Sequence, residues 1–154
     1  MSSIETQLAQ KERQHWMSVM AKAPATQLTA LCETFLASYQ FSEIRAPEIG
    51  LTQVRGRMGG TGSQFNIGDV TITRCVVQYK QAFYGHSYVI GRNKQQALVA
   101  AKLDALLQDK SSHNHAYQTV IKPLVTVLAQ REQQKKQAAA KTKVDFFTLV
   151  RGEV

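Results

Sequence analysis

The 154-residue sequence has little cysteine, little proline, few acidic residues and no long apolar run. Its two cysteines, Cys32 and Cys75, stand far apart with no CxxC spacing, which argues against zinc-knuckle and thioredoxin-like chemistry. Two unclustered thiols suit a reducing compartment, each as a small buried hydrophobe, although a disulfide between them stays open. Three prolines, at 24, 47 and 123, leave long stretches free to form regular elements. No stretch approaches the roughly 18 apolar residues of a membrane-spanning helix. Glu5, Lys11, Glu12 and Arg13 occupy the place of an export signal's apolar core, so the expected location is cytoplasmic. With 44% hydrophobic and 19% charged residues, the composition is that of a globular chain.

Nineteen basic residues against 11 acidic give a net charge of +8. Half of that excess lies beyond residue 121, in Lys122, Arg131, Lys135, Lys136, Lys141, Lys143 and Arg151. Such a cluster fits nucleic acid, an anionic membrane, an acidic protein partner, or simply a solvated helix.

Periodicity predicts a helix from the Ser2–Glu5 capping box to Ala23, ended by Pro24, and a second from Thr26 to Tyr39. Leu28, Leu31, Cys32, Phe35 and Leu36 mark the apolar stripe of the second helix. A helix pair with a short break invites a helix-turn-helix reading. Its candidate recognition helix, however, has Glu33 as its one charge and no cation to meet phosphate. Strands are expected at about 42–46, 49–57, 69–79 and 82–90, antiparallel because no helix fits between them. A helix over 94–108 should start at an Asn93 cap; after a polar break over Asp109–Asn114 another should begin near His115 and kink or restart at Pro123. The predicted class is α+β: an N-terminal helical hairpin, a sheet of three to four antiparallel strands, and C-terminal helices. One domain is expected over 1–128, followed by an arm over 129–154. Residues 129–143 carry no apolar side chain larger than Ala, yet they precede a compact apolar tail. Val144, Asp145, Phe146, Phe147, Leu149 and Arg151 mark that tail, which docks either on its own sheet or on another chain.

Six of the nine glycines fall between positions 50 and 68. The candidate anion or interface loop comprises Arg57, Gly59, Gly60, Thr61 and Gly62 with Asp69, Thr71, Thr73 and Arg74. Glycines allow backbone N–H groups to cradle an anion, and Arg55, Arg57 and Arg74 would add forked donors. The competing reading is a glycine-rich hairpin turn with arginines lying over the sheet. Neither standard phosphate motif is present: Gly62 is followed by Ser63-Gln64 rather than Lys-Ser, and Phe65 stands where a dinucleotide fingerprint needs Gly or Ala. No HExxH, GxSxG or Cys–His pairing occurs, and His113 and His115 lack the further ligands of a zinc site. No metal site and no catalytic residue is assigned.

Four motifs in order change the odds. Gln14-His15-Trp16-Met17, Arg57-Met58-Gly59-Gly60-Thr61-Gly62 with Phe65 and Gly68 to Arg74, Gly91-Arg92-Asn93-Lys94-Gln95, and Val144 to Gly152 together resemble the PhnG family. That family supplies a subunit of the bacterial carbon–phosphorus lyase core complex. The resemblance covers residue 13 to the C-terminus, with 129–143 the least diagnostic part. It implies an accessory role in organic phosphonate catabolism, in a hetero-oligomer with PhnI, PhnH and PhnJ and with PhnK and PhnL as ATPase-like associates. With PhnI, PhnH and PhnL, such a subunit is needed to form α-D-ribose 1-methylphosphonate 5-triphosphate from ATP and methylphosphonate. ATP is then a substrate of the complex, and this chain is expected to bind no cofactor. PhnI would be the closest contact of the arm. The alternative is a basic, helix-turn-helix-like nucleic-acid-binding regulator.

Overall fold

The computed structural model describes the backbone of residues 3–141 and the side chains of residues 7–141. Helices α1 (Ser3–Lys22) and α2 (Ala25–Leu36) precede strands β1 (Ser42–Arg57), β2 (Gln64–Tyr79) and β3 (Phe83–Ile90). Helices α3 (Lys94–Gln108), α4 (Lys110–Ala116) and α5 (Lys122–Lys141) follow, giving an α+β fold. The Ser2–Glu5 capping box lies outside the described side chains.

The sheet is antiparallel in the order β1-β2-β3. β3 alternates strictly, burying Gly85, Ser87 and Val89 while exposing Tyr84, Tyr88 and Ile90, so one face carries the core. α3 covers that face. Gly85 lets it approach, because a Cβ there would run into the Ala101 carbonyl and come within 2.7 Å of Ala105 N. α3 is buried on two sides and joins two clusters. On the sheet side Ala97, Ala101, Ala105 and Leu106 meet Cys75, Val77, Tyr79 and Val89. On the helical side Leu103 and Leu107 meet Trp16, Met20, Leu28, Cys32, Ile121 and Leu124.

Asn93 caps α3 as expected, its side chain accepting from Gln96 N–H at 2.9 Å. Several boundaries differ from the sequence reading. The strands expected over 42–46 and 49–57 are one strand, because Pro47 sits in a register shift between Arg45 and Glu48 on the edge strand, where no ladder donor is needed. Gly68-Asp69 does not break β2; a bulge opposite Val54 and Arg55 absorbs the irregularity. The polar stretch after Gln108 is helical from Lys110, since Asp109 accepts from Ser111 N–H at 3.0 Å and caps α4. Ahead of Pro123 the chain winds as a π turn over Tyr117–Ile121, consistent with the missing proline donor.

β3 pairs with β2 only from Ile72 to Tyr79, whereas β1 pairs with β2 down to Arg57 and Gln64. The distal half of the β1–β2 hairpin therefore stands clear of the body. From Ile49 to Thr71 no residue is buried.

Candidate functional site

The glycine loop forms the tip of this ribbon. Met58–Gly60 makes a 3-10 turn, with Gly59 (φ 61°) and Gly60 (φ 80°) in the left-handed region that favours glycine. Gly62 N–H donates to Met58 O at 2.9 Å, and Arg57 Nη1 donates to Gly62 O at 3.1 Å. The arginine thus clamps the turn from outside, and Thr61 is exposed beside it. Arg55 lies two residues back, on the same strand face as Arg57, and its Nε donates to Asn66 Oδ1 at 3.2 Å.

The remaining loop candidates spread down β2 rather than gathering at the tip. Asp69 stands opposite Gln53 and is exposed; Thr71 stands opposite Leu51 and is half-buried. Thr73 is fully buried, and its hydroxyl donates to Gly91 O at 2.7 Å, tying β2 to the turn that starts α3. Arg74 pairs through Nε with Glu48, which also meets Arg45 at 3.6 Å. Along β2, from the partner of Arg57 to Arg74, is ~34 Å at about 3.4 Å per residue. Arg57 and Arg74 therefore do not share one anion cradle. The tail candidates Val144, Asp145, Phe146, Phe147, Leu149 and Arg151 lie outside the described residues.

A second polar centre has Asp104 at its middle. Asp104 lies on α3 with no exposure, yet four residues donate to its carboxylate. Arg13 gives Nε at 3.2 Å and Nη2 at 2.7 Å, and Trp16 gives Nε1 at 2.8 Å. His86 gives its backbone N–H at 2.9 Å, and Gln108 gives Nε2 at 3.3 Å. Beside it opens a cavity of about 540 Å³ walled by Arg13, Trp16, Phe83, Gln108, Lys110 and His113. With its oxygens so fully engaged, Asp104 joins α1, β3 and α3 and offers no free oxygen for proton transfer. Sequence reasoning missed it. The available signal was one acidic residue set among Leu103, Ala105, Leu106 and Leu107.

Both cysteines, two of the histidines and Asp109 are also held by their surroundings. Burial pushes the Cys32 thiol up to about 12 and, with Glu43 adding to it, the Cys75 thiol up to about 11, so both stay protonated. His113 donates its ring Nδ1–H to Leu107 O at 2.6 Å and sets its edge on Trp16, while His115 stacks on Phe35. Lys80 holds Asp109 at 2.8 Å; together with Ser111 it draws that carboxyl down to about 2. Among the described residues no group of three or more His, Cys, Asp or Glu could hold a metal ion. No helix among them is long and apolar enough to cross a membrane.

The described fold thus combines a packed interior with an exposed glycine-tipped ribbon. The family model described as "Phosphonate metabolism protein PhnG" matches residues 11–152. The chain belongs to the PhnG family. A similar protein is the "Alpha-D-ribose 1-methylphosphonate 5-triphosphate synthase subunit PhnG" of Rhizobium meliloti (strain 1021), 33% identical over 142 residues, covering 92% of this chain and 90% of that one. Membership of PhnG places the chain in phosphonate metabolism. The regulator alternative finds no support: α2 lays Leu28 and Cys32 into the core, and its one charged residue is Glu33.

Proposed function

We propose that the chain is an accessory subunit of α-D-ribose 1-methylphosphonate 5-triphosphate synthase, required but not catalytic alone. The observation that carries this is the match over most of the chain to a subunit of that synthase, joined to a described fold that buries both thiols and holds Asp104 and His113 in internal hydrogen bonds. PhnI, PhnH and PhnJ are its proposed core partners, with PhnK and PhnL as ATPase-like associates. ATP and methylphosphonate are substrates of the assembly, and no cofactor is assigned to this chain. The tail around Phe146 and Phe147 is proposed to seat on PhnI, and Arg57 at the ribbon tip to face a shared interface or a phosphate-rich site.

Reconstitution tests this. Adenine release from ATP in the presence of methylphosphonate should require this chain together with PhnI, PhnH and PhnL, and the isolated chain should show none. Full activity without the chain would sink the subunit role, and turnover by the chain alone would sink the accessory role. Removing residues 144–154 should abolish co-purification with PhnI. Arg57→Ala should lower product formation, with assembly retained where the arginine faces the phosphate-rich site and weakened where it faces the interface.

A further inference from the structure

A two-stranded hairpin without a third strand or a helix against it is marginal in water. The distal β1–β2 ribbon is such a hairpin. Ile90 pairs with Ile72, Gly91 N–H donates to Thr71 O at 2.9 Å, and the chain then leaves for α3. Beyond that point β2 has β1 on one edge and no strand of this chain on the other among the described residues. The ribbon nevertheless exposes large apolar side chains: Met58, Leu51 and Ile67 are 75%, 68% and 63% exposed, and Phe65 is 46% exposed. Leu51 shares one face with Ile49, while Phe65 and Ile67 lie on the face of Gly56, so apolar side chains stand on both faces of the ribbon, and such exposed groups mark an interaction surface.

Charge and size narrow the occupant. Arg55 and Arg57 bond to an amide oxygen and a carbonyl, and neither has a carboxylate partner among the described residues. Pairing with a second copy would bring these guanidiniums toward their own kind on chains of charge +8 each. From Ile49 to Arg57 the ribbon runs ~26 Å at about 3.3 Å per residue. Its two faces and tip thus approach the roughly 800 Å² that one side of a standard interface contributes. Resting on the subunit role proposed above, we infer that ribbon 49–71 is an insertion arm. It enters an apolar cleft on a different subunit of the synthase, whose rim supplies carboxylates to Arg55 and Arg57.

The test uses the full chain co-expressed with the other proposed synthase subunits. Leu51→Asp combined with Ile67→Asp should leave the isolated chain folded, by circular dichroism and melting, because neither side chain reaches the core. The wild-type chain should co-elute with the assembly, and the double variant should bind at least ~100-fold more weakly. If the wild-type chain fails to co-elute, the subunit role and the arm fall together. If it co-elutes and the folded double variant binds equally well, the arm alone falls. Should that variant not fold, Arg55→Glu with Arg57→Glu serves instead, with about 10-fold weaker, salt-sensitive binding expected; unchanged binding overturns the arm. A wild-type homodimer in light scattering that the double variant dissociates would assign the ribbon to a second copy and overturn the non-identical partner.

Discussion

Trp16 donates its indole N–H to Asp104 Oδ1 at 2.8 Å, and both residues are buried. The contact joins α1 to α3 across 88 positions of sequence and shares its carboxylate with the guanidinium of Arg13, whose side chain is a third exposed. Removing the carboxylate leaves the indole and the His86 N–H without an acceptor, each loss costing about 1–3 kcal/mol. Arg13 can turn toward water, which limits its own share. Asp104→Ala should therefore lose about 3 kcal/mol in urea unfolding. Asp104→Asn, which keeps one acceptor oxygen, should lose less. Equal stability of wild type and Asp104→Ala would deny the carboxylate its joining role.

Gly85 permits the closest approach of α3 to the sheet. A methyl group there meets the Ala101 carbonyl and Ala105, both backbone-anchored, so the helix must shift rather than a side chain rotate. Gly85→Ala should destabilise by about 1–3 kcal/mol as an overpacked site. Gly50, whose Cβ position is open, should accept Ala with a far smaller change. Melting temperatures of the two variants side by side decide this.

Much of this architecture was legible because local rules and tertiary burial agree. The α2 stripe through Leu28 and Cys32, the Asn93 cap and the span of β3 all fall where periodicity, capping chemistry and strand-forming residues put them. Pro47 misled because an edge strand tolerates a missing donor, which only the sheet order reveals. Asp109 misled because polar residues read as a loop, whereas its carboxylate caps a helix. The candidate site was legible only as a turn. Glycine spacing located the loop, but Arg57 and Arg74 look adjacent in sequence chemistry and are separated by the length of a strand. Asp104 stayed hidden because its partners Arg13, Trp16 and His86 come from elements remote in sequence.

The thiols give a direct chemical readout of the two core clusters. Cys32 sits in the helical cluster and Cys75 in the sheet cluster, both unpaired and buried. With thiols pushed up to about 12 and about 11, the thiolate fraction at pH 8 is negligible and access is blocked. Iodoacetamide should label neither in the native chain and both in denaturant. Labelling of one in the native state would show that its cluster opens by itself.

The Lys80–Asp109 pair should leave a signature in acid. Lys80 Nζ and the Ser111 N–H and hydroxyl favour the charged carboxylate and hold Asp109 at about 2, against an ordinary value of 3.8. A carboxyl depressed on folding stabilises fully above its unfolded value and loses that contribution as pH falls through the folded one. The contribution should be complete above pH ~5 and vanish between about pH 4 and 2. Asp109→Asn should lower the melting temperature at pH 6, and the gap from wild type should close over that acid window. Lys80→Met should shrink the loss and end it at higher pH, since the strongest group depressing the folded carboxyl is gone while the start, set by the unfolded value, stays where it was. A gap between wild type and Asp109→Asn that stays constant from pH 6 to pH 2 would mean that Asp109 does not couple its charge to folding.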